Sequence, residues 1–330
     1  MGSDAGFDWR PIGPEQAGDW ARLLAAIEAV DRQDEHFSEQ DLLEEFSDPC
    51  CDFARGSIAA WAGPIMVGHC QLTTRTAADP VHEMWQWGGV HPDYRGRGLG
   101  ARVLEWAEEA AVPLHRERYP GQPLALTAAC LSRSAAAVAL YAAHGYRESR
   151  WFHRMTRNLS APLPEVPVLA GVEMVRFTAQ RSQDARLVRN DAFRDHWGST
   201  ADTAESWAHF TTYGAFRPAL SFLAYAGHEP LGIVLGQEYD ASTAASGKRD
   251  FCIPLVGTRR AARGRGIASA LLVRALTEAK TDGFATASLT VDADSPTGAV
   301  GIYKRLGFTV QDTWITQLKT LLDAAPADPG

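Results

Sequence analysis

The sequence has few cysteines and no long hydrophobic run. Cys50, Cys51, Cys70, Cys130 and Cys252 are odd in number and show neither metal-ligand spacing nor a paired framework. This excludes a disulfide scaffold and a cysteine metal site, and it fits buried, inert thiols in a reducing compartment. No apolar stretch approaches the roughly 20 residues that a membrane span needs. Met1 to Asp8 lacks the basic region and apolar core of a secretory signal. The expectation is a cytoplasmic protein with no membrane partner. Positive charge is also short, with 32 Lys and Arg against 40 Asp and Glu, which argues against nucleic acid as a partner. The deficit lies in the first half: residues 1–160 hold 15 basic against 22 acidic side chains, and residues 161–330 hold 17 against 18.

At roughly 100–200 residues per domain, 330 residues make about two domains. The stretch from Ser160 to Pro167 carries three prolines and lies almost at the midpoint. Proline lacks the amide donor and restricts the residue before it, so this stretch reads as an extended connector between domains 1–159 and 168–330. The halves repeat one another. Asp34, Ser38, Asp41, Glu44 and Phe46 recur as Asp195, Ser199, Asp202, Glu205 and Trp207. Arg95-Gly-Arg-Gly-Leu-Gly100 recurs as Arg263-Gly-Arg-Gly-Ile-Ala268, and Tyr141, Gly145 and Tyr146 recur as Tyr303, Gly307 and Phe308. Two length changes, around Ala241–Gly247 and Arg116–Gln122, read as surface-loop insertions.

Periodicity gives the same order in each half. In the first, strands are expected at 9–12, 57–62, 65–74, 84–90, 124–131, 146–148 and 152–157, with helices at 15–30, 98–111 and 135–144 and one capped by Ser38. In the second, strands are expected at 173–176, 220–226, 231–238, 251–256, 287–291 and 313–318, with helices at 180–193, 203–211, 267–281 and 297–305. Ser295 reads as the cap of the last helix, with Pro296 in its first turn. The fold class is α/β, an α+β mixed sheet with helices packed on it, in two tandem copies.

The most informative feature is a strand that runs into a glycine-rich turn opening a helix. The first copy has Gly88, Gly89 and Val90, then Arg95, Gly96, Arg97, Gly98, Leu99, Gly100 and Ala101. The second has Val256, Gly257 and Thr258, then Arg263, Gly264, Arg265, Gly266, Ile267, Ala268 and Ser269. Unsatisfied amides at a helix start, backed by its dipole, bind anions, and glycine lets the backbone approach phosphate oxygens. A dinucleotide fold wants G-x-G-x-x-G after the first strand, whereas this loop follows a fourth strand. A P-loop wants G-K-[ST], which is absent.

These residues resemble the GCN5-related N-acetyltransferases (GNAT), whose signature [RQ]-x-x-G-x-[GA] follows the fourth strand and fits Arg95/Gly98/Gly100 and Arg263/Gly266/Ala268. A second signature, a fifth strand and a helix bearing a tyrosine before Gly-aromatic, resembles Leu124–Leu131 with Tyr141 and Gly145-Tyr146. It also resembles Leu289–Asp294 with Tyr303 and Gly307-Phe308. The tandem copies are most similar to the mycothiol synthase branch. The resemblance implies acetyl-CoA as acyl donor with no metal, its pantetheine against Gly88–Val90 or Val256–Thr258 and its pyrophosphate on the amides of Arg95–Ala101 or Arg263–Ser269. It implies direct attack by a small-molecule primary amine, with Tyr141 and Tyr303 as general acids. The nearest carboxylates for a base are Glu83 and Asp250, because strict counting puts the branch's glutamate on Met84 and Cys252. A bulge would change which side chain faces the cleft.

The nine acids from Asp31 to Asp52, against Arg32 alone, read either as a field drawing a cationic amine or as a solvated helix face. His196-Trp197 in the second half reads as packing. The alternatives to a working tandem enzyme are one or two degenerate copies that hold acetyl-CoA without turnover, or a protein-modifying acetyltransferase.

Overall fold

The computed structural model describes residues 6–323 except 76, 79, 166, 167, 195 and 296. The chain divides into two compact units, Met1–Arg150 with Trp314–Gly330, and Trp151–Thr313. In chain order the strands and α-helices are β1 (Asp8–Arg10), α1 (Ala17–Asp31), α2 (Glu39–Glu45), α3 (Phe53–Gly56), β2 (Ser57–Ala62), β3 (Ile65–Thr74), β4 (His82–Val90), α4 (Leu99–Arg118), β5 (Leu124–Leu131), α5 (Ala135–Ala143) and β6 (Arg147–Asn158). There follow β7 (Glu173–Arg176), α6 (Ser182–Ala192), α7 (Ala204–Thr212), β8 (Phe222–Ala226), β9 (Glu229–Gln237), α8 (Asp240–Ser246), β10 (Asp250–Thr258), α9 (Ile267–Thr281), β11 (Thr286–Asp292), α10 (Ala299–Arg305) and β12 (Thr309–Leu322).

The first unit lays its strands in the order β1-β2-β3-β4-β5-β12, antiparallel except for the parallel pair β4 and β5. Its last strand comes from the far end of the sequence: Trp314 pairs with Leu131 and Leu322 with Leu124. In the second unit the order from β6 is β6-β11-β10-β9-β8-β7, and residues Phe152–Asn158 of β6 pair with β11. Division by packing thus exchanges the terminal strands of the halves that the sequence separates at 160–167. In that proline-rich stretch, Arg157 Nη2 donates to Pro162 O at 2.6 Å and Lys280 Nζ to Ser160 O at 3.3 Å. Val166 and Pro167 lie outside the described residues, as does Asp195, the repeat partner of Asp34.

Strand alternation decides which side chains meet which helices. On β4, His82, Met84 and Gln86 are buried while Glu83, Trp85 and Trp87 are partly exposed. Met84, Leu72 and Leu126 pack with Val103, Leu104, Ala107, Ala111 and Leu114 of α4, whose spacing makes one apolar stripe. The opposite face holds α1 and α2 through Trp20, Leu23, Ile27 and Leu42 against Trp61 and Met66. Ser38 caps α2 as expected, its hydroxyl accepting from Asp41 N–H. The second unit repeats the layers, with α9 and α10 around Phe251 and Ile253 on one face and α6 and α7 around Ile233 and Leu235 on the other.

Three local readings are corrected. The strands expected at 146–148 and 152–157 are one strand, β6, which runs from Arg147 to Asn158 and pairs with β11 over Phe152–Asn158. The Ala241–Gly247 insertion is not a bare loop but helix α8, closed by Gly247 at φ 69°. Alanine favours helix and glycine suits a left-handed stop. Helix α10 takes Gly298, not Ser295, as its N-cap, and Pro296 lies outside the described residues.

The second unit's packing gives a direct test. A Cβ at Gly236 would lie 2.1 Å from Phe251 Cε2, and Phe251 is fully buried against Phe284. Gly236→Ala is expected to cost about 1–3 kcal/mol through overpacking, read as a fall in unfolding midpoint in urea. An unchanged midpoint would contradict this packing.

Candidate active site

In each unit the parallel strand pair opens partway. On β4 the pairing with β5 runs from His82↔Leu124 to Trp85↔Thr127 and stops, while pairing with β3 continues to Val90↔Gly68. Gly88, Gly89 and Val90 therefore have a sheet edge facing the gap. On β10 the pairing with β11 stops at Cys252↔Ser288, while pairing with β9 continues to Thr258↔Gly232. Val256, Gly257 and Thr258 stand there in the same way. Only β10 carries a bulge of the two, between Cys252 and Leu255. It spans Pro254, which has no amide to give a ladder.

Past each open strand the chain turns into the glycine loop. Gly96 and Gly98 have φ of 74° and 86°, and Gly264 and Gly266 have 75° and 80°. Those values suit glycine and would strain other residues. Gly98 and Gly266 are the N-caps of α4 and α9, so the amides of Leu99, Gly100 and Ala101, and of Ile267, Ala268 and Ser269, lack an acceptor one turn earlier. The Arg95 and Arg263 amides are already used, donating to Pro92 O and Arg260 O. Gly100 serves close packing, since a Cβ there would meet Leu140 Cδ2 at 2.9 Å.

The loop arginines brace the loop. Arg95 donates from Nη1 and Nη2 to the two carboxylate oxygens of Asp31, both at 2.7 Å, and from Nε to Val90 O. Arg97 Nη2 donates to Asp93 O, with its guanidinium over the Tyr94 ring. Arg263 Nη2 donates to Ala192 O at 2.8 Å, while Arg265 is exposed. Each loop is thus tied to the end of the first helix of its unit. Several acids of the Asp31–Asp52 run have local work as well: Asp41 accepts from Ser38 N–H at the start of α2, Asp52 caps α3, and Asp48 accepts from Cys50 N–H. His196 Nδ1 lies 3.1 Å from Trp197 O and its ring packs on Phe193.

Tyr141 on α5 is packed edge-on to Tyr146, and burial raises its phenol. Tyr303 on α10 is 8% exposed, sits edge-on to Phe308, and has its pKa pushed up to about 12 by burial. Both tyrosines are neutral donors at ordinary pH.

The faces bordering the two gaps differ. In the first unit Trp87 meets Trp20 and Phe37 at ring separations of 5.3 and 5.1 Å. On the same face Glu83 is raised by burial, with Arg75 at 3.7 Å opposing the shift. In the second unit the face is polar: Asp250 and Cys252 on β10, Thr286, Ser288 and Thr290 on β11, Gln237 across from Cys252, and Thr156 and Arg154 across from Ser288 and Thr290. Thr286 Oγ1 donates to Asp250 Oδ1 at 2.6 Å and Ser288 Oγ to Oδ2. The sequence reading missed these hydroxyls. Their signal is the two-residue spacing of Thr286, Ser288, Thr290 and Asp292, alternating with the apolar Ala287, Leu289 and Val291. Among the described residues no cluster of three or more His, Cys, Asp or Glu could hold a metal ion. No described helix is long and apolar enough to cross a membrane.

A mixed sheet opened between its parallel strands, with a glycine cradle at the mouth, is the acetyltransferase domain of the GNAT class, here present twice. The acetyltransferase (GNAT) family matches residues 185–308, and a GNAT acetyltransferase domain matches residues 57–148. The chain is 31% identical to a mycothiol acetyltransferase of Salinispora arenicola over 90% of its own length and 91% of that protein's. It is 32% identical to the mycothiol acetyltransferase of Thermobispora bispora over 67% of its length and 70% of that protein's. A GCN5-related N-acetyltransferase structure from Sphaerobacter thermophilus superposes with a TM-score of 0.76 at 26% identity, covering 97% of this chain and 98% of that one. The chain belongs to the GNAT acetyltransferases, as a tandem N-acetyltransferase of the mycothiol synthase type.

Proposed function

We propose that the protein transfers the acetyl group of acetyl-CoA to the primary amine of a small molecule, by direct attack on the thioester, and that the second unit carries the transfer. The observation behind this choice is the polar face of Asp250, Ser288 and Gln237 at the point where β10 and β11 part. An amine that must lose a proton as it attacks needs acceptors there. The open edge at Val256–Thr258 suits the pantetheine amides, and the amides of Ile267–Ser269 suit the pyrophosphate. Tyr303 supplies a proton donor for the departing thiolate. A small-molecule acceptor is supported by the relatives named mycothiol acetyltransferase.

The first unit carries a second reading, an acetyl-CoA-holding copy without turnover. Trp85 and Trp87 stand on the face where the second unit has Cys252 and Leu255, and β4 has no bulge. This unit keeps the cradle, and the indoles of Trp85 and Trp87 interrupt the polar side chains Glu83, Thr127, Thr73 and Gln71 on its wall.

The test is a panel of amines, glucosamine, L-cysteinamide, spermidine and a lysine-bearing peptide, followed by release of free CoA from acetyl-CoA. Turnover of at least one small amine is expected, together with two acetyl-CoA molecules bound per chain by calorimetry. Acetylation of the peptide alone would replace the small-molecule reading with a protein-modifying one. Absence of turnover on every amine would overturn the transferase reading of this acceptor class.

A further inference from the structure

Asp250 does not reach the gap unaccompanied. β10 and β11 pair only over Asp250↔Thr286, Phe251↔Ala287 and Cys252↔Ser288, so Ser288 is the last residue of β11 held to β10. Its side chain stands where the strands part, on the face shared with Asp250. Both carboxylate oxygens of Asp250 are occupied, Oδ1 by the Thr286 hydroxyl and Oδ2 by the Ser288 hydroxyl. The Thr286 bond lies deeper in the paired region, whereas the Ser288 bond ends at the apex of the gap. Cys252, the remaining titratable side chain of β10 on this face, lies against the same Ser288 hydroxyl. Burial and the Asp250 carboxylate push its thiol up to about 12, which keeps it a neutral neighbour. The other charged groups of this face are Arg154 on β6, opposite Thr290, and Asp292 at the end of β11, two residues beyond Thr290, which is 1% exposed and accepts from Asp294 N–H.

We propose that Ser288 accepts the proton of the attacking amine while passing its own hydroxyl proton to Asp250, so that the pair serves as the base of the second unit. Ser288 is then the catalytic residue that meets the acceptor, and Asp250 is a positioning residue that acts through it. The proposal rests on the second unit's being the transferring one. The step balances in atoms and charge. The amine nitrogen bonds to the thioester carbon and the carbon–sulfur bond breaks. One N–H proton moves to Ser288 Oγ as the Ser288 proton moves to Asp250 Oδ2, and the departing thiolate takes the Tyr303 proton. Solvent then returns Asp250 and Tyr303 to their starting forms. Thr286 holds the second oxygen, so the carboxylate cannot swing away from Ser288.

The experiment uses the full chain, acetyl-CoA and whichever amine of the panel turns over fastest. Ser288→Ala is expected to lower kcat by roughly 10²-fold, with acetyl-CoA affinity by calorimetry within about twofold of wild type. Ser288→Thr, which keeps a hydroxyl on the same carbon, is expected to recover most of that loss. Asp250→Asn is expected to lower kcat as much as Ser288→Ala, with the KM for acetyl-CoA within about twofold, and the double variant is expected to lose no more than either single change. A merely structural bond would change the melting temperature and leave kcat within about threefold. Ser288→Ala or Asp250→Asn within about threefold of wild-type kcat would overturn the relay. If Ser288→Ala does not fold, the Ser288→Thr and Asp250→Asn rates decide the matter. A wild type that binds acetyl-CoA and acetylates no amine removes the transferase reading and the relay with it, whereas an active wild type with an intact Ser288→Ala removes the relay alone.

Discussion

Tyr303→Phe is expected to lower kcat for acetyl transfer by roughly 10³-fold, with the KM for acetyl-CoA changed by no more than about twofold. The substitution removes only the hydroxyl. The ring keeps its edge-on contact with Phe308 and its place in the apolar cluster that includes Phe251, Leu271 and Leu289. A loss of activity therefore reports the lost donor and not a lost core. Because burial pushes the phenol up to about 12, Tyr303 stays protonated through the whole neutral range. The sign follows: its ionisation adds no alkaline limb to the rate profile below about pH 10, and any limb seen there belongs to another group. Tyr141→Phe provides the comparison. If the first unit holds acetyl-CoA without turning it over, that change leaves kcat within about twofold. A Tyr303→Phe enzyme that retains more than about a third of wild-type kcat would remove the general acid from the proposed mechanism. Equal losses from the two changes would assign turnover to both units.

Much of this arrangement is legible in the sequence, and the parts that are not share a physical cause. Strands 57–62, 65–74, 124–131 and 173–176 and helix 267–281 fall where periodicity puts them, because their burial patterns are set by local residues. The cradles are legible for a similar reason: positive φ at Gly96, Gly98, Gly264 and Gly266 is a backbone demand that only a few residue types meet. What local reading cannot supply is pairing between distant segments. The match of Trp314–Leu322 with β5 joins residues from 183 (Trp314 and Leu131) to 198 (Leu322 and Leu124) positions apart, and nothing within either segment names its partner. The caging of Asp250 is hidden in the same way. It depends on the register of β10 against β11, and the β10 bulge breaks simple counting from the end of the strand. Sequence reasoning could therefore choose Asp250 as a carboxylate near the gap, yet it could not see the hydroxyls that bind it. For Glu83 the neighbour is the Arg75 guanidinium at 3.7 Å and the wall is aromatic. Matching positions in a repeat thus have unlike surroundings, and surroundings decide chemistry.

The first unit is expected to lose stability as the pH falls from about 6.5 to 5, ahead of general acid unfolding. Three buried imidazoles cause this. His69 is 1% exposed between Trp20 and Trp87, and burial pushes its pKa down to about 3. His82 on β4 and His115 on α4 stack with their Nδ1 atoms 2.8 Å apart, so one ring donates to the other and both are neutral. Burial, then the His115 ring and the Arg118 and Arg75 guanidinium groups, push His82 down to about 4. His115 is lowered by burial and by Arg116, with a partly offsetting hydrogen bond to Gln122 O. Unfolded histidine titrates near 6.5. Between that value and the depressed folded values the unfolded chain binds more protons than the native one, so stability rises with pH across the window and falls on acidification. One pKa unit is worth about 1.4 kcal/mol, so His69 and His82 each forfeit about 2 kcal/mol between pH 6.5 and 5. Tryptophan fluorescence reports mainly on this unit, which holds seven of the ten tryptophans, Trp9, Trp20, Trp61, Trp85, Trp87, Trp106 and Trp314. Its urea midpoint should fall over that window and level off above pH 7. His82→Gln with His115→Gln keeps neutral hydrogen-bonding groups at the pair and should remove roughly half of the pH dependence, leaving the share that His69 carries. A double variant with the wild-type slope would mean that the buried pair takes up its protons without cost and that the native interior admits the charge.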